Sequence, residues 1–90
     1  MSSILLSDTL ANLEAAKEKA FKAYMDAKER KDDEEKVRRA VRELRIYESK
    51  LDPIILYSHH GSEHKISALL ELETVRRRRS ELEDQVRRKG

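Results

Sequence analysis

The segment from Lys28 to Lys36 reads KERKDDEEK, nine residues without one side chain that a core could bury. On each side of it, apolar residues recur at the three- and four-residue spacing of an amphipathic helix. The fold depends on what the chain does at this segment. Either one long helix crosses a solvated stretch, or the chain turns and begins a second helix.

The surroundings of the segment favour a continuous helix. Between Thr9 and Lys50 there is no Gly and no Pro, and the strong helix formers Ala, Glu, Lys, Arg and Leu predominate. Acidic residues precede basic ones by four positions throughout, as in Glu34 and Arg38, and such pairs support a helix. We therefore predict a first helix over about residues 8–51, capped at Ser7.

The alternative is a turn at residues 31–33, which would give a three-helix bundle. Asp32 would then cap a second helix, and Glu35 would complete a capping box. Against this alternative, the segment offers no glycine to end the first helix.

The second half of the chain contains its single proline and its internal glycine. At Asp52-Pro53 the helix should end, because the residue before proline is pushed out of the α region. We predict a connection over residues 52–62, with Gly61 in the left-handed region and Ser62 capping a last helix over about residues 63–88. That helix carries a heptad seam with alternating spacings of four and three, formed by Ala68, Leu72, Val75, Arg79, Leu82 and Val86.

These elements predict an all-α protein of one domain, a helical hairpin or antiparallel coiled coil with a long first helix. The predicted hairpin core comprises Val37, Val41, Leu44, Tyr47, Leu51, Leu72, Val75, Leu82 and Val86. The apolar stripe in the first half of the first helix then has no cover within the chain, and an uncovered stripe marks an interface. We call this set the first stripe: Leu10, Leu13, Ala16, Ala20, Phe21 and Tyr24.

Composition limits the size of the core. Charged residues make up 42% of the 90 residues, against roughly 25% in ordinary globular domains. A chain with so few large apolar residues is expected to complete its core with a partner. The favoured partner is a second copy in a homodimer, because most soluble oligomers are symmetric, and another helical protein is the other candidate.

The sequence contains no pattern typical of an enzyme or of a cofactor site. It lacks cysteine, and its two glycines, Gly61 and Gly90, form no phosphate-binding loop. The longest apolar run, Ile54 to Tyr57, is too short to span a membrane, and the N-terminal residues lack the basic region of a signal peptide. We predict no catalytic residues, no cofactor, no membrane partner and a cytoplasmic location.

Three histidines, His59, His60 and His64, are weak candidates for metal ligands. Histidine is a common zinc ligand, but a site needs three or four converging donors. The spacing matches no familiar zinc pattern, so the favoured interpretation is a polar loop without metal.

The C-terminal helix contains the arginine-rich part of the chain. Candidate nucleic-acid contacts are Arg76, Arg77, Arg78, Arg79, Arg87 and Arg88. Phosphate binding strengthens with each charge neutralised. However, successive residues on a helix point about 100° apart, and no aromatic residue alternates with the arginines to stack on bases. A solvated helix surface is the favoured interpretation.

Arg79 differs from the other arginines because the heptad places it on the apolar seam. A charge there costs stability unless it is paired. Either Glu34 or Glu48 could be its partner on the facing helix, or Arg79 could extend its charged end to water.

The predicted function is that of a non-enzymatic assembly or adaptor module that acts through helix–helix interactions and self-associates. The alternative is a nucleic-acid-binding or packaging accessory protein that uses the arginine-rich C-terminal helix. Salt distinguishes the two, since phosphate binding weakens steeply as ionic strength rises.

Overall fold

The computed structural model describes the backbone of residues 2–89 and the side chains of residues 10–88. This part of the chain forms three α-helices and no strand: α1 (Ser2–Glu29), α2 (Glu34–Tyr57) and α3 (Glu63–Lys89). The all-α prediction is confirmed. Helix α2 is central and packs antiparallel against both neighbours, so α1 and α3 run in the same direction along it. No described helix has the length and apolarity needed to cross a membrane.

The chain turns at residues 30–33, so the prediction of one continuous helix over residues 8–51 is wrong. The three-helix alternative describes the structure. The backbone N–H of Asp33 donates to the Arg30 carbonyl at 3.1 Å, and Asp33, rather than Asp32, caps α2 by accepting from the Lys36 N–H at 3.3 Å. The turn needs no glycine, because Gly61 alone among the described residues has a positive φ.

Burial explains why the helix breaks at a segment that contains neither glycine nor proline. Folding α1 back onto α2 buries Ala20 and Ala27 completely and leaves Tyr24 only 8% exposed. Each i,i+4 ion pair along a continuous helix contributes about 0.2–0.5 kcal/mol, whereas burial of one large apolar side chain contributes about 1.5–3 kcal/mol. Tertiary packing therefore outweighs the local preference.

Two further predicted boundaries are wrong. Helix α1 begins at Ser2 and runs through the predicted cap at Ser7, and α2 continues through Pro53 to Tyr57, which shortens the connection to residues 58–62. Leu51 and Ile54 lie three positions apart on the buried face of α2, while Pro53 is exposed. Their packing offsets the backbone hydrogen bond that proline removes.

Helix α3 begins where the sequence predicts. The Lys65 N–H donates to the Ser62 hydroxyl at 3.3 Å, which is the predicted cap. Gly61, within the connection, has a φ of 83°, the left-handed conformation that glycine adopts without steric cost.

One apolar core runs along the bundle. Of the predicted hairpin core, Val41 and Val86 are half-buried and the others are buried: Val37, Leu44, Tyr47, Leu51, Leu72, Val75 and Leu82. Ala16, Ala20, Ala27, Ala40 and Ala68 are buried with them. These small side chains let three helices approach closely although large apolar residues are scarce.

Candidate functional site

The first stripe is covered within the chain. Ala16, Ala20 and Tyr24 are buried, and the remaining members pack half-buried against the core: Leu10, Leu13 and Phe21. The turn at residues 30–33 supplies this cover by folding α1 onto α2. The prediction that the stripe lies uncovered is therefore wrong, and the stripe gives no support to docking of a second copy.

Helices α1 and α3 meet through Arg78 and two aromatic rings. The guanidinium carbon of Arg78 lies 4.6 Å from the ring centre of Phe21 and 4.9 Å from that of Tyr24. The Tyr24 hydroxyl donates to the Glu81 carboxylate at 3.0 Å. The Phe21 ring also meets the Tyr47 ring of α2 edge-on, with centroids 5.8 Å apart. Phe21 thus joins all three helices.

Ion pairs flank this contact along α1 and α3. Lys17 Nζ lies 3.8 Å from Glu71, and Lys28 Nζ lies 3.6 Å from Glu81. The Tyr24 hydroxyl, followed by the Glu81 carboxylate, raises the pKa of Lys28. Both pairs are substantially exposed, and such pairs are typically worth under about 1 kcal/mol.

Helices α2 and α3 share a network centred on Glu48. Its carboxylate accepts from Arg79 and, at 3.1 Å, from Arg76. Of the two partners predicted for Arg79, the structure selects Glu48. Arg79 also lies 3.5 Å from Glu83, which pairs with Arg45 at 3.1 Å.

The candidate nucleic-acid contacts divide into two groups. Arg76, Arg78 and Arg79 contact other helices of the same chain. The others are exposed: Arg77, Arg87 and Arg88. The aromatic partners of Arg78 lie on another helix, which is why the run of arginines alone did not predict them. The signal in the sequence is the spacing of three between Phe21 and Tyr24 in a chain with only four aromatic residues.

The three histidines do not form a site. His59, His60 and His64 are all exposed at the α2–α3 connection. Among the described side chains, no group of three His, Cys, Asp or Glu is arranged to hold a metal ion.

A small groove lies between the first halves of α1 and α3. Its volume is about 150 Å³, below the 300–1,000 Å³ typical of small-molecule sites. Leu10 and Leu13 line one side, and Tyr47 and Leu51 contribute to its lining from α2. Burial, together with the Glu71 carboxylate, raises the pKa of Tyr47 above its ordinary value of 10.0, so this phenol keeps its proton to a more alkaline pH than an exposed tyrosine does.

Four large aliphatic side chains remain exposed around the α2–α3 connection, next to Tyr57, which is 86% exposed. They are 74%, 49%, 46% and 62% exposed, and we call them the connection patch: Leu56, Ile66, Leu69 and Leu70. On α3, Ile66 lies three positions before Leu69 and four before Leu70, which makes it a neighbour of both on the helix surface. The sequence does not predict this patch, because its residues lie outside the heptad seam.

Leu56 belongs to the same surface because of the register between α2 and α3. It lies eleven residues, or about three turns, after Arg45, on the flank of α2 that pairs with α3. Leu69 lies seven residues, or about two turns, before Arg76, on the flank of α3 that pairs with α2. Leu56 and Leu69 therefore lie on the same side of the α2–α3 pair as the ion pairs of Arg45 and Arg76, nearer to the connection.

Comparisons with protein-family models, curated proteins and solved structures gave no match. No relative's function therefore transfers to this chain, and its own residues have to indicate one. Packing within the chain does not explain the exposure of the connection patch.

Proposed function

We propose that this protein is a helix-docking adaptor module whose connection patch receives the apolar face of a helix from another protein. The observation that carries the proposal is the exposure of four large apolar side chains on one surface, each between 46% and 74% exposed. Contiguous exposed apolar groups rimmed by polar residues mark interaction sites. Burial of one such side chain contributes about 1.5–3 kcal/mol.

The connection patch is formed by two helices that pack against each other. Its residues lie on two helices that are held together by the core and by the Glu48 network. The Ser62 cap fixes the start of α3 close to Ile66. A surface that is ordered before binding loses little conformational entropy on docking, which favours affinity.

Helix docking is better supported than nucleic-acid binding by the arginine-rich helix. Three of the six candidate arginines, Arg76, Arg78 and Arg79, would have to give up contacts within the fold to reach phosphates. The connection patch requires no such rearrangement. The two functions also respond differently to salt, because apolar docking persists at high ionic strength.

The test uses a fluorescent helical peptide with leucines on one face and glutamines on the other. We expect the wild-type protein to bind it in about half-molar salt, where charge attraction is largely screened. Leu69→Ser should weaken binding about tenfold, because it removes one buried leucine from the interface. Fluorescence anisotropy measures the affinities.

Ile46→Ser is the matched control. Ile46 is also an exposed apolar residue, 41% exposed, but lies ten residues before Leu56 and on another face of α2. This variant should bind the peptide like the wild type, and thermal melts should show both variants folded. Absence of binding, or equal binding by wild type and Leu69→Ser, would overturn the docking function.

A further inference from the structure

The connection patch has an acidic rim. Asp52, Glu63 and Glu73 each lie three or four positions from a patch residue, which places each carboxylate one helical turn from an exposed apolar side chain. By the same spacing one basic residue borders the patch, Lys65, four positions before Leu69, so the acids outnumber it by three to one. All three acids are exposed. A partner that covers the patch must therefore approach these carboxylates.

The three rim acids, Asp52, Glu63 and Glu73, have no basic partner within the described part of the fold. By contrast, four other acids pair with a Lys or Arg of a different helix: Glu48, Glu71, Glu81 and Glu83. The rim charges are thus unused by the fold.

The acidic rim belongs to a wider charge asymmetry. Residues 51–73 contain four acidic residues and one basic residue, Lys65, so their net charge is 1 − 4 = −3. Residues 74–90 contain seven basic and three acidic residues, so their net charge is 7 − 3 = +4. Residues 51–73, which include the connection and the patch, are therefore acidic although the whole chain has a net charge of +2.

We infer that the partner of the connection patch is a basic amphipathic helix, in which Lys or Arg residues flank the apolar face. The inference rests on the proposed docking function and adds the chemistry of the partner. Opposite charges around an apolar contact speed association and suppress wrong partners. A second copy that docked patch to patch would bring two acidic rims together, and an anionic membrane surface would repel the rim.

Three helical peptides with the same leucine face test the inference. Their polar faces carry lysine, glutamine or glutamate. We expect affinity to fall in that order in low salt, and the difference between the lysine and glutamine peptides to shrink as salt rises. Leu69→Ser should weaken binding of the lysine and glutamine peptides by a similar factor, about tenfold, because both bury the same leucine.

Rim variants separate the charge from the apolar contact. Glu73→Gln should lower the affinity for the lysine peptide about two- to fivefold, as expected for an exposed charge pair. The affinity for the glutamine peptide should not change. Asp84→Asn is the matched control, because Asp84 lies eleven residues further along the same face of α3, about 16 Å from Glu73. It should bind all three peptides like the wild type.

The outcomes distinguish this inference from the docking function. Patch-dependent binding of the glutamine peptide without any preference for lysine would overturn the inference and leave the docking function standing. If Leu69→Ser does not weaken binding of the lysine peptide, the inference is also overturned. The peptide would then be held by charge attraction that does not depend on the connection patch. Self-association of the wild type that Leu69→Ser abolishes, measured by sedimentation equilibrium, would make a second copy the occupant and overturn the basic partner.

Discussion

Helix α3 meets its two neighbours through different chemistry. Against α2 it buries Leu72, Val75 and Leu82 in an apolar seam. Against α1 it stacks Arg78 on two aromatic rings, between ion pairs. Apolar burial is non-directional and drives the helices together, whereas the stacked guanidinium accepts few arrangements. The comparison teaches that the apolar seam between α2 and α3 supplies most of the stability. The contact of Arg78 with the aromatic rings fixes the position of α1 relative to α3.

The largest effect is expected in the apolar seam. Leu82→Ala should lower the free energy of unfolding by about 2–5 kcal/mol, because Leu82 is 1% exposed and its loss leaves a cavity. Leu70→Ala, which shortens an exposed leucine of the same helix, should change it by less than about 0.5 kcal/mol. Urea titrations followed by circular dichroism measure both. Equal losses in the two variants would contradict the burial described here.

A smaller effect is expected for the charge within the apolar seam. Arg79→Gln should cost about 1.5–3 kcal/mol of unfolding free energy, because it leaves the half-buried Glu48 carboxylate without its closest partner. A double-mutant cycle with Glu48→Gln should give a coupling above about 0.5 kcal/mol. The same cycle with Glu34→Gln is the control, since Glu34 pairs with Arg38. Coupling to Glu34 instead would mean that the register of α2 and α3 is different.

A still smaller effect is expected in the aromatic seam, the contact of Arg78 on α3 with the Phe21 and Tyr24 rings on α1. Arg78→Gln should lower the free energy of unfolding by about 1 kcal/mol, the usual size of a partly desolvated cation–π contact. Arg77→Gln is the matched control, because Arg77 is exposed and contacts neither ring, so its effect should stay within about 0.5 kcal/mol. Thermal and urea unfolding measure both variants. If the two substitutions cost the same, Arg78 does not hold α1 against α3.

The smallest effect depends on pH and involves Tyr47, which touches both seams. Its pKa is raised from 10.0 mainly by burial, so the unfolded chain releases the phenolic proton before the folded chain does. Stability from the neutral phenol is therefore complete below pH 10 and falls as pH rises above that value. Tyr47→Phe should flatten this alkaline decline in unfolding free energy, and Tyr57→Phe should retain it, because Tyr57 is 86% exposed. An unchanged slope in Tyr47→Phe would exclude Tyr47 as its cause.

Much of the fold follows from local pattern. Helix α3 (Glu63–Lys89) matches the predicted bounds of about 63–88 because its start has a capping serine after a glycine and its interior has a regular heptad. The sequence also predicts four of the six buried residues of α2, since the period of 3.6 identifies a buried face whatever packs on it: Val37, Leu44, Tyr47 and Leu51. It does not predict the burial of Ala40 or of Ile54, which it assigns to the connection. For Arg79 the sequence leaves Glu34, Glu48 and water open, and only the register of α2 and α3 in the structure selects Glu48.

The rest depends on which helices meet, and no local pattern contains that information. The turn at residues 30–33 has neither glycine nor proline, and it exists because α1 gains burial on α2. The sequence predicts the first stripe as an interface because it does not show that α2 covers these residues. The connection patch could be found only after the cover of every other apolar face was known, since an exposed leucine and a buried one look the same in a sequence.

The arrangement of the three helices also sets an order of events during folding. Each antiparallel pair, α1–α2 and α2–α3, joins neighbours along the chain through a short turn, so both pairs close small loops. The contact of Arg78 with Phe21 joins α1 to α3, the first and last helices of the chain. It therefore requires that both helices have already packed on α2. We therefore expect this contact to form after the rate-limiting step. Arg78→Gln should then speed unfolding while leaving the folding rate almost unchanged, so the aromatic seam governs how long the native state lasts more than how fast it is reached.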